Sequence, residues 1–421
     1  MKAKNIIQLV FIATSLLLCI SCKKDAQPAK PEQAVNLSNG YTKTSGRNIL
    51  DGTGNPIYIK GVQIEGWLSV PSHMWGAGLS GETKIYEGLT QLIGTEKAMN
   101  FRKEIVKNFI SKDDIAAIKN SGFNTVRVPI NHIALDKYYD GWDALDTLVS
   151  WCEQYKIYIV LSLHSAPSPQ STLFPADYVF PEPVLWDDAG KRTETVNLWR
   201  KIALRYKDKK IIAAYDLLNE PDPPVAKKDI FISLNKEIIY AIRDVDKDHL
   251  LFVEGSSYAK DFSYFSSRLP DNNICYEFHT YNWFGESFDN QLRDFQNFSK
   301  LHNVPIINGE FGAVSNSQAA SIRREFEDTT RHINGWVFWA WKSYYLREGD
   351  WFGGLQNKDI HYLREFDVSP EWKKVMNYVS GTLFAPKPTA EETLDGMNDF
   401  INRIKLKNTQ QNDDIKRSLI Y

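Results

Sequence analysis

Apolar residues in this chain come in short unbroken runs rather than in strict alternation. Eight runs stand out, at 57–64, 123–129, 157–163, 211–218, 250–254, 274–279, 304–308 and 335–341. Continuous Val, Ile, Leu and aromatic stretches suit parallel strands covered on both faces. Helical patterns separate them. Ser111 with Asp114 three residues on reads as an N-cap and its acidic partner, followed by Ile115, Ile118 and a stop at Gly122. Trp142, Leu145, Leu148, Val149 and Cys152 follow the 3.6-residue period. Further helices are predicted over 193–206, 229–244, 287–301, 317–332 and 370–379, and an extra one over 86–109. Strands alternating with helices over about 285 residues have the size and rhythm of an α/β fold of the (β/α)8 TIM-barrel type. A doubly wound sheet is the alternative, but no strand is followed by its glycine-rich phosphate loop.

The first residues depart from this rhythm. Lys2 and Lys4 precede an apolar stretch over 6–20, then Ser21, Cys22 and the polar Lys23, Lys24 and Asp25. A basic start, an apolar run and a small residue make an export signal, not a spanning helix. The segment resembles a bacterial lipoprotein signal, although Cys19 stands where that pattern favours Leu. The resemblance implies cleavage before Cys22, lipidation of Cys22 and attachment to a membrane through that anchor. The expected location is the bacterial cell envelope, extracytoplasmic, at the outer membrane or cell surface. Simple cleavage and secretion is the alternative. The organisation predicted is a signal over 1–21, a flexible tether over 22–45, a barrel domain over 46–385 and a helical tail over 386–421. Within the tail, 389–407 reads as a polar helix and the final dozen residues as loose.

Composition narrows the partners. The chain has 421 residues, 43% hydrophobic and 24% charged, with a net charge of -2. No basic stripe points to nucleic acid, and the chain reads as a monomer. Beyond residue 22 only Cys152 and Cys275 remain, both among apolar neighbours. They read as buried free thiols, too few for a disulfide framework or a cysteine zinc site.

The strand ends carry the chemistry. In a barrel of this type the functional rim lies at the C-terminal ends of the strands. There the predicted strands deliver Arg127, His164, Asn219 with Glu220, Glu254, His279 with Tyr281, Glu310, and Trp339 with Trp341. A lone His or Arg at a strand end is more often a packing residue; convergence on one rim carries the weight. Glu220 and Glu310 each end an apolar run, and hydrolysis of a sugar linkage needs such a carboxylate pair. Glu254 is the internal rival, with a hydrogen bond or salt bridge at the rim as its plain role. Asp216 reads as a buried, paired structural acid. A metal-dependent barrel hydrolase needs clustered ligands such as His-x-His on strand one, and that strand has no His. No metal and no cofactor are expected.

These motifs resemble glycoside hydrolase family 5. The likeness runs from 46 to 384. It rests on Leu-Leu-Asn-Glu-Pro around Glu220, Gly-Glu-Phe-Gly around Glu310 and His-x-Tyr at 279–281. It also rests on Thr-Val-Arg-Val-Pro around Arg127 and Leu-His-Ser-Ala-Pro around His164. Gly-Val-Gln-Ile-Glu-Gly-Trp-Leu at 61–68 is similar to the Gly-Val-Asn-Leu-Gly-Gly-Trp-Leu opening of the exo-β-1,3-glucanase-like branch, from which Gln63 and Glu65 depart. The resemblance implies a retaining glycosidase acting on a β-linked glucan, β-1,4 or β-1,3, with a polysaccharide or oligosaccharide substrate. A β-mannanase or other hemicellulose hydrolase is the alternative, and a non-catalytic surface glycan-binding protein the third reading. It implies Glu220 as proton donor and acid/base and Glu310 as nucleophile. Arg127 and Tyr281 would hold Glu310, and Asn219 would bind the sugar 2-hydroxyl. His164 and His279 would bind hydroxyls or orient the catalytic groups. Trp339 would be the stacking platform, with Trp341 as the other candidate. The cleft would be shaped by the loops at 66–110, 165–190 and 342–362.

Overall fold

The computed structural model describes Val35 and residues 40–421, less 77–79, 137–138, 173–176, 178–181, 282–287, 346–350, 353–354 and 357–361. The signal, Cys22 and the tether as far as residue 39, Val35 apart, lie outside the described residues, as do parts of the loops at 165–190 and 342–362. Eight parallel strands close into a barrel. They are β1 (Ile59–Gln63), β2 (Thr125–Asn131), β3 (Tyr158–Ser165) and β4 (Ile212–Asp216). Then follow β5 (Leu250–Glu254), β6 (Ile274–Thr280), β7 (Ile306–Phe311) and β8 (Ile333–Phe338), which pairs back onto β1. The expected α/β TIM barrel is therefore the observed fold. Every strand is almost wholly buried because helices cover one face and the barrel interior the other, which is why its apolar run does not alternate.

Local signals set the helix ends. Ser111 and Asp114 form the reciprocal capping box predicted for Lys112–Asn120. Ser369 caps Pro370–Val379, with Pro370 in the first turn where its missing N–H costs nothing. The helix predicted over 86–109 is two helices, Glu82–Ile93 and Thr95–Asn108. They break at Gly94, whose φ of 85° no helix can contain.

Two sequence boundaries need correction. Lys43–Ser45, assigned to the tether, pairs with Asn48–Leu50 in a hairpin. Thr44 N donates to Asn273 Oδ1 at 2.9 Å, and Ile49 packs among Ile59, Val160, Leu250 and Cys275 near the strand starts. A chain fixed by those contacts belongs to the domain. The final dozen residues are also ordered. Gln410–Gln411 pairs with Arg364–Phe366, and the helix Asp413–Ile420 buries Ile415 and Leu419 one turn apart. Ahead of it, Ala390–Arg403 stacks Phe400 on Trp372 at 4.4 Å and against Trp75 at 5.3 Å. The tail thus closes a core with the segment between β1 and β2. Cys152 and Cys275 are buried free thiols, as expected. Among the described residues no helix is long and apolar enough to cross a membrane.

Candidate active site

The rim at the C-terminal strand ends is built around Arg127 of β2. Its guanidinium is fully buried, and all of its nitrogens find acceptors. Nη1 donates to Glu310 Oε2 at 2.9 Å and to Gln63 Oε1 at 2.6 Å. Nη2 donates to Asp216 at 2.7 Å, Asn219 Oδ1 at 2.8 Å and Glu254 at 3.0 Å. Nε reaches Asp216 at 3.2 Å and lies 3.5 Å from Glu277. The rigid fork of an arginine suits this work, since it ties five strands to one planar group. Asp216 is the buried, paired acid that its place in β4 suggested.

Glu310 sits near the end of β7. Besides Arg127 it accepts from Tyr281 Oη at 2.5 Å, so each of its oxygens is held by one donor. Burial, then the Glu310 charge, pushes the Tyr281 phenol well above its ordinary range, so it remains a donor. Glu220 lies four residues past β4, where Asn219 N still bonds to Leu163 O at 3.0 Å. Its φ of 44° is in the left-handed region, and its backbone N–H is taken by Glu254 Oε2 at 2.7 Å. Its side chain meets His279 Nδ1 at 2.9 Å. One oxygen each of Glu220 and Glu310, with a ring nitrogen of His279, lie within 4.8 Å of one another.

Behind His279 stand Glu277 at 3.3 Å and Glu254 at 3.5 Å. Burial opposes a charged His279, but Glu254, Glu220 and Glu277 outweigh it and raise the imidazole well above its usual range. Burial first, with Asp216 and Glu277, also raises Glu254 well above the carboxylate range, against the pull of His279. Both shifts have a common setting: His279 and Glu254 are buried together among further carboxylates.

Arg127, His164, Asn219, Glu220, His279, Tyr281, Glu310 and Trp339 share the rim. His279 contacts Glu220, and His164 Nε2 lies 3.0 Å from Glu65. Asn219 Nδ2 is buried without a protein acceptor among the described residues, which leaves a donor for a ligand. Trp339 borders the site, with its ring 6.2 Å from that of Tyr281 and 5.4 Å from that of Tyr362. Trp341 does not qualify as a platform. It is fully buried and gives its indole N–H to Asp114 at 2.9 Å. Glu254 has the rim hydrogen-bonding role expected of it.

Glu277, Gln63 and Glu65 were not among the predicted site residues. Glu277 carried a readable signal, because it lies two residues before His279 on β6 and so shares its face by strand alternation. Gln63 and Glu65 appeared only as departures from a motif. Both prove buried, and Gln63 Nε2 donates to Glu65 Oε2 at 3.0 Å. Burial raises the Glu65 carboxyl, but His164, Trp339 and Gln63 together bring it below the ordinary range.

Residues 85–345 match the family model described as Cellulase (glycosyl hydrolase family 5). The chain belongs to that family. That family's model describes glycosyl hydrolases, and the relatives carry the names of glycosidases. The chain is 30% identical over 321 residues to a β-xylosidase from Phanerodontia chrysosporium, covering 70% of this chain and 65% of that one. It is 30% identical over 192 residues to endoglucanase C from Acetivibrio thermocellus, covering 44% of this chain and 54% of that one. The match thus spans less than two thirds of either relative. The family 5 barrel also resembles a crystal structure of endogalactoceramidase, with a TM-score of 0.54, 18% identity, and 72% and 75% of the two chains covered. That likeness concerns the fold alone.

Proposed function

We propose that this glycosyl hydrolase family 5 enzyme cleaves a β-linked glucan by double displacement, with Glu310 as nucleophile and Glu220 as acid/base. The observation that carries it is the separation of the two carboxyl groups. Oxygens within 4.8 Å fit the roughly 5–5.5 Å of retaining enzymes and leave no room for the water of an inverting one. Arg127 and Tyr281 each donate to one oxygen of Glu310 and hold it in place to attack the anomeric carbon. Glu220 protonates the departing oxygen, then takes a proton from the water that releases the sugar. Asn219 Nδ2 is free to donate to the 2-hydroxyl, a contact that strengthens as the ring flattens. Proton NMR of early products tests this reading: β-anomer first is expected, and α-anomer first would overturn it.

A β-xyloside is the second reading of the substrate. It is favoured by the identity to the β-xylosidase, which spans more of this chain than that to the endoglucanase. Hydrolysis of 4-nitrophenyl β-xyloside against β-glucoside and β-cellobioside, with product sizing on soluble glucans and mannans, separates the sugars.

We also infer that the enzyme works as a monomer anchored through lipidated Cys22 on the outside of a bacterial envelope. The basic start, the apolar stretch over 6–20 and Ser21 before Cys22 support this. Multiple acyl chains would hold it stably, whereas one would not. Mass spectrometry of the mature N-terminus decides it, and an unmodified Cys22 would reject the anchor.

A further inference from the structure

Glu65 stands where the resembling motif has glycine, two residues beyond the end of β1. It is only 3% exposed. Its Oε1 meets His164 Nε2 at 3.0 Å, and its Oε2 takes the Trp339 indole N–H at 2.5 Å and the Gln63 amide at 3.0 Å. Three barrel strands therefore converge on this carboxylate: β1 through Gln63, β3 through His164 and β8 through the residue that follows it. Among the described residues no Lys or Arg pairs with it. A buried carboxylate held by an imidazole, an indole and an amide is an expensive way to pack a barrel.

A second observation points to a ligand. His164 is 2% exposed, and its other ring nitrogen, Nδ1, is buried with no partner among the described residues. Once Nε2–H is given to Glu65, a neutral His164 must offer Nδ1 as a bare acceptor. Across the same rim, Asn219 Nδ2 is an unused donor. One acceptor and one donor, beside an indole whose rotation is fixed, form a recognition surface for a ring bearing hydroxyl groups.

We propose that Glu65 is a positioning residue: it fixes the Nε2-protonated tautomer of His164 and the rotation of Trp339, so that a neutral sugar ring meets His164 Nδ1 as an acceptor. The inference rests on the reading that the reacting sugar occupies this rim. Its negative charge further selects against an anionic sugar at the same place.

The test uses ¹⁵N NMR of the whole protein at pH 8.5, where an ordinary imidazole is neutral. The His164 signals are assigned by their loss in His164→Asn. Wild type is expected to show the Nε2–H tautomer. In Glu65→Gln the amide has one acceptor oxygen, taken by Trp339, and its NH₂ must face His164 Nε2. The tautomer is therefore expected to invert to Nδ1–H. With 4-nitrophenyl β-glucoside, β-xyloside or β-cellobioside, whichever wild type cleaves, kcat/KM should fall about 10²-fold, mostly in kcat, with the thermal midpoint kept. A wild-type Nδ1–H tautomer overturns the inference, and so does an inverted tautomer with kcat/KM within twofold of wild type. If wild type cleaves none of the probes, the sugar reading is what fails, and the tautomers alone then decide what Glu65 does to His164.

Discussion

Glu254 Oε2 accepts the backbone N–H of Glu220 at 2.7 Å, while its Oε1 accepts from Arg127 at 3.0 Å. Glu220 has a φ of 44°, a conformation that costs a non-glycine residue about 1–3 kcal/mol and persists only when neighbours impose it. Glu254 is the neighbour that imposes it. In Glu254→Gln one oxygen must serve two donors, so either Glu220 N–H or Arg127 loses its acceptor. The variant should lose about 1–3 kcal/mol of stability and about 10²-fold in kcat with a smaller change in KM. Denaturant titration and steady-state kinetics check it, and a wild-type kcat would show that Glu220 holds its place unaided.

Glu310 and Glu220 should fail differently. With Glu310 as the proposed nucleophile, Glu310→Ala should cost at least about 10³-fold on every substrate, with the circular dichroism spectrum unchanged. With Glu220 as the proposed proton donor, Glu220→Ala matters least when the leaving group is already acidic. Its loss on a 4-nitrophenyl glycoside should therefore be much smaller than on an oligosaccharide. Equal losses on both substrates would reject the division of roles.

Gly309 on β7 makes room for Glu277. A Cβ at Gly309 would sit 1.4 Å from Glu277 Oε1 and 2.1 Å from its Cδ. The acid behind His279 can stay only if residue 309 has no side chain. Gly309→Ala should destabilise the protein by about 1–3 kcal/mol, as overpacking of a full core does. Adding Glu277→Ala should cost less than the two single losses summed, because the clash is then gone. Additive losses would show that the two sites do not share this space.

His73 is buried, with its ring 5.6 Å from that of Trp339, and burial lowers its pKa to about 3. Between pH 6.5 and 3 the unfolded chain takes a proton here that the folded chain refuses. Stability is therefore lost as pH falls through that window, by about 1.4 kcal/mol per unit at most. From pH 7.5 to 5 the wild type should lose about 2 kcal/mol more than His73→Asn. Urea titrations at both values measure it; equal losses would mean that His73 is charged in the fold.

Most of the barrel could be read from the chain, and so could many, though not all, of the polar residues that its strands bring to one rim. A strand buried on both faces must be continuously apolar, so a polar residue at its end is conspicuous. His164, His279 and Glu310 announce themselves in this way, whereas Arg127 interrupts its run from within and Glu220 follows its strand by four residues. Gly94 and the last dozen residues were harder to read. One glycine splits a helical pattern without disturbing its period, and Ile415 with Leu419 is too short a pattern to stand out in a polar tail.

The sequence by itself determined what each strand is made of and what it delivers to the rim, because the burial of a strand is written in its own residues. It could not say which deliveries touch. Gln63, Arg127, Glu254, Glu277 and Glu310 come from five strands, and closure of the barrel alone decides that one guanidinium serves the other four directly and a fourth acid, Asp216, as well. The same closure turned Glu65 from a departure in a motif into a buried carboxylate between His164 and Trp339. A hydrogen bond is fixed by ångströms between atoms hundreds of residues apart, and only tertiary structure sets that distance.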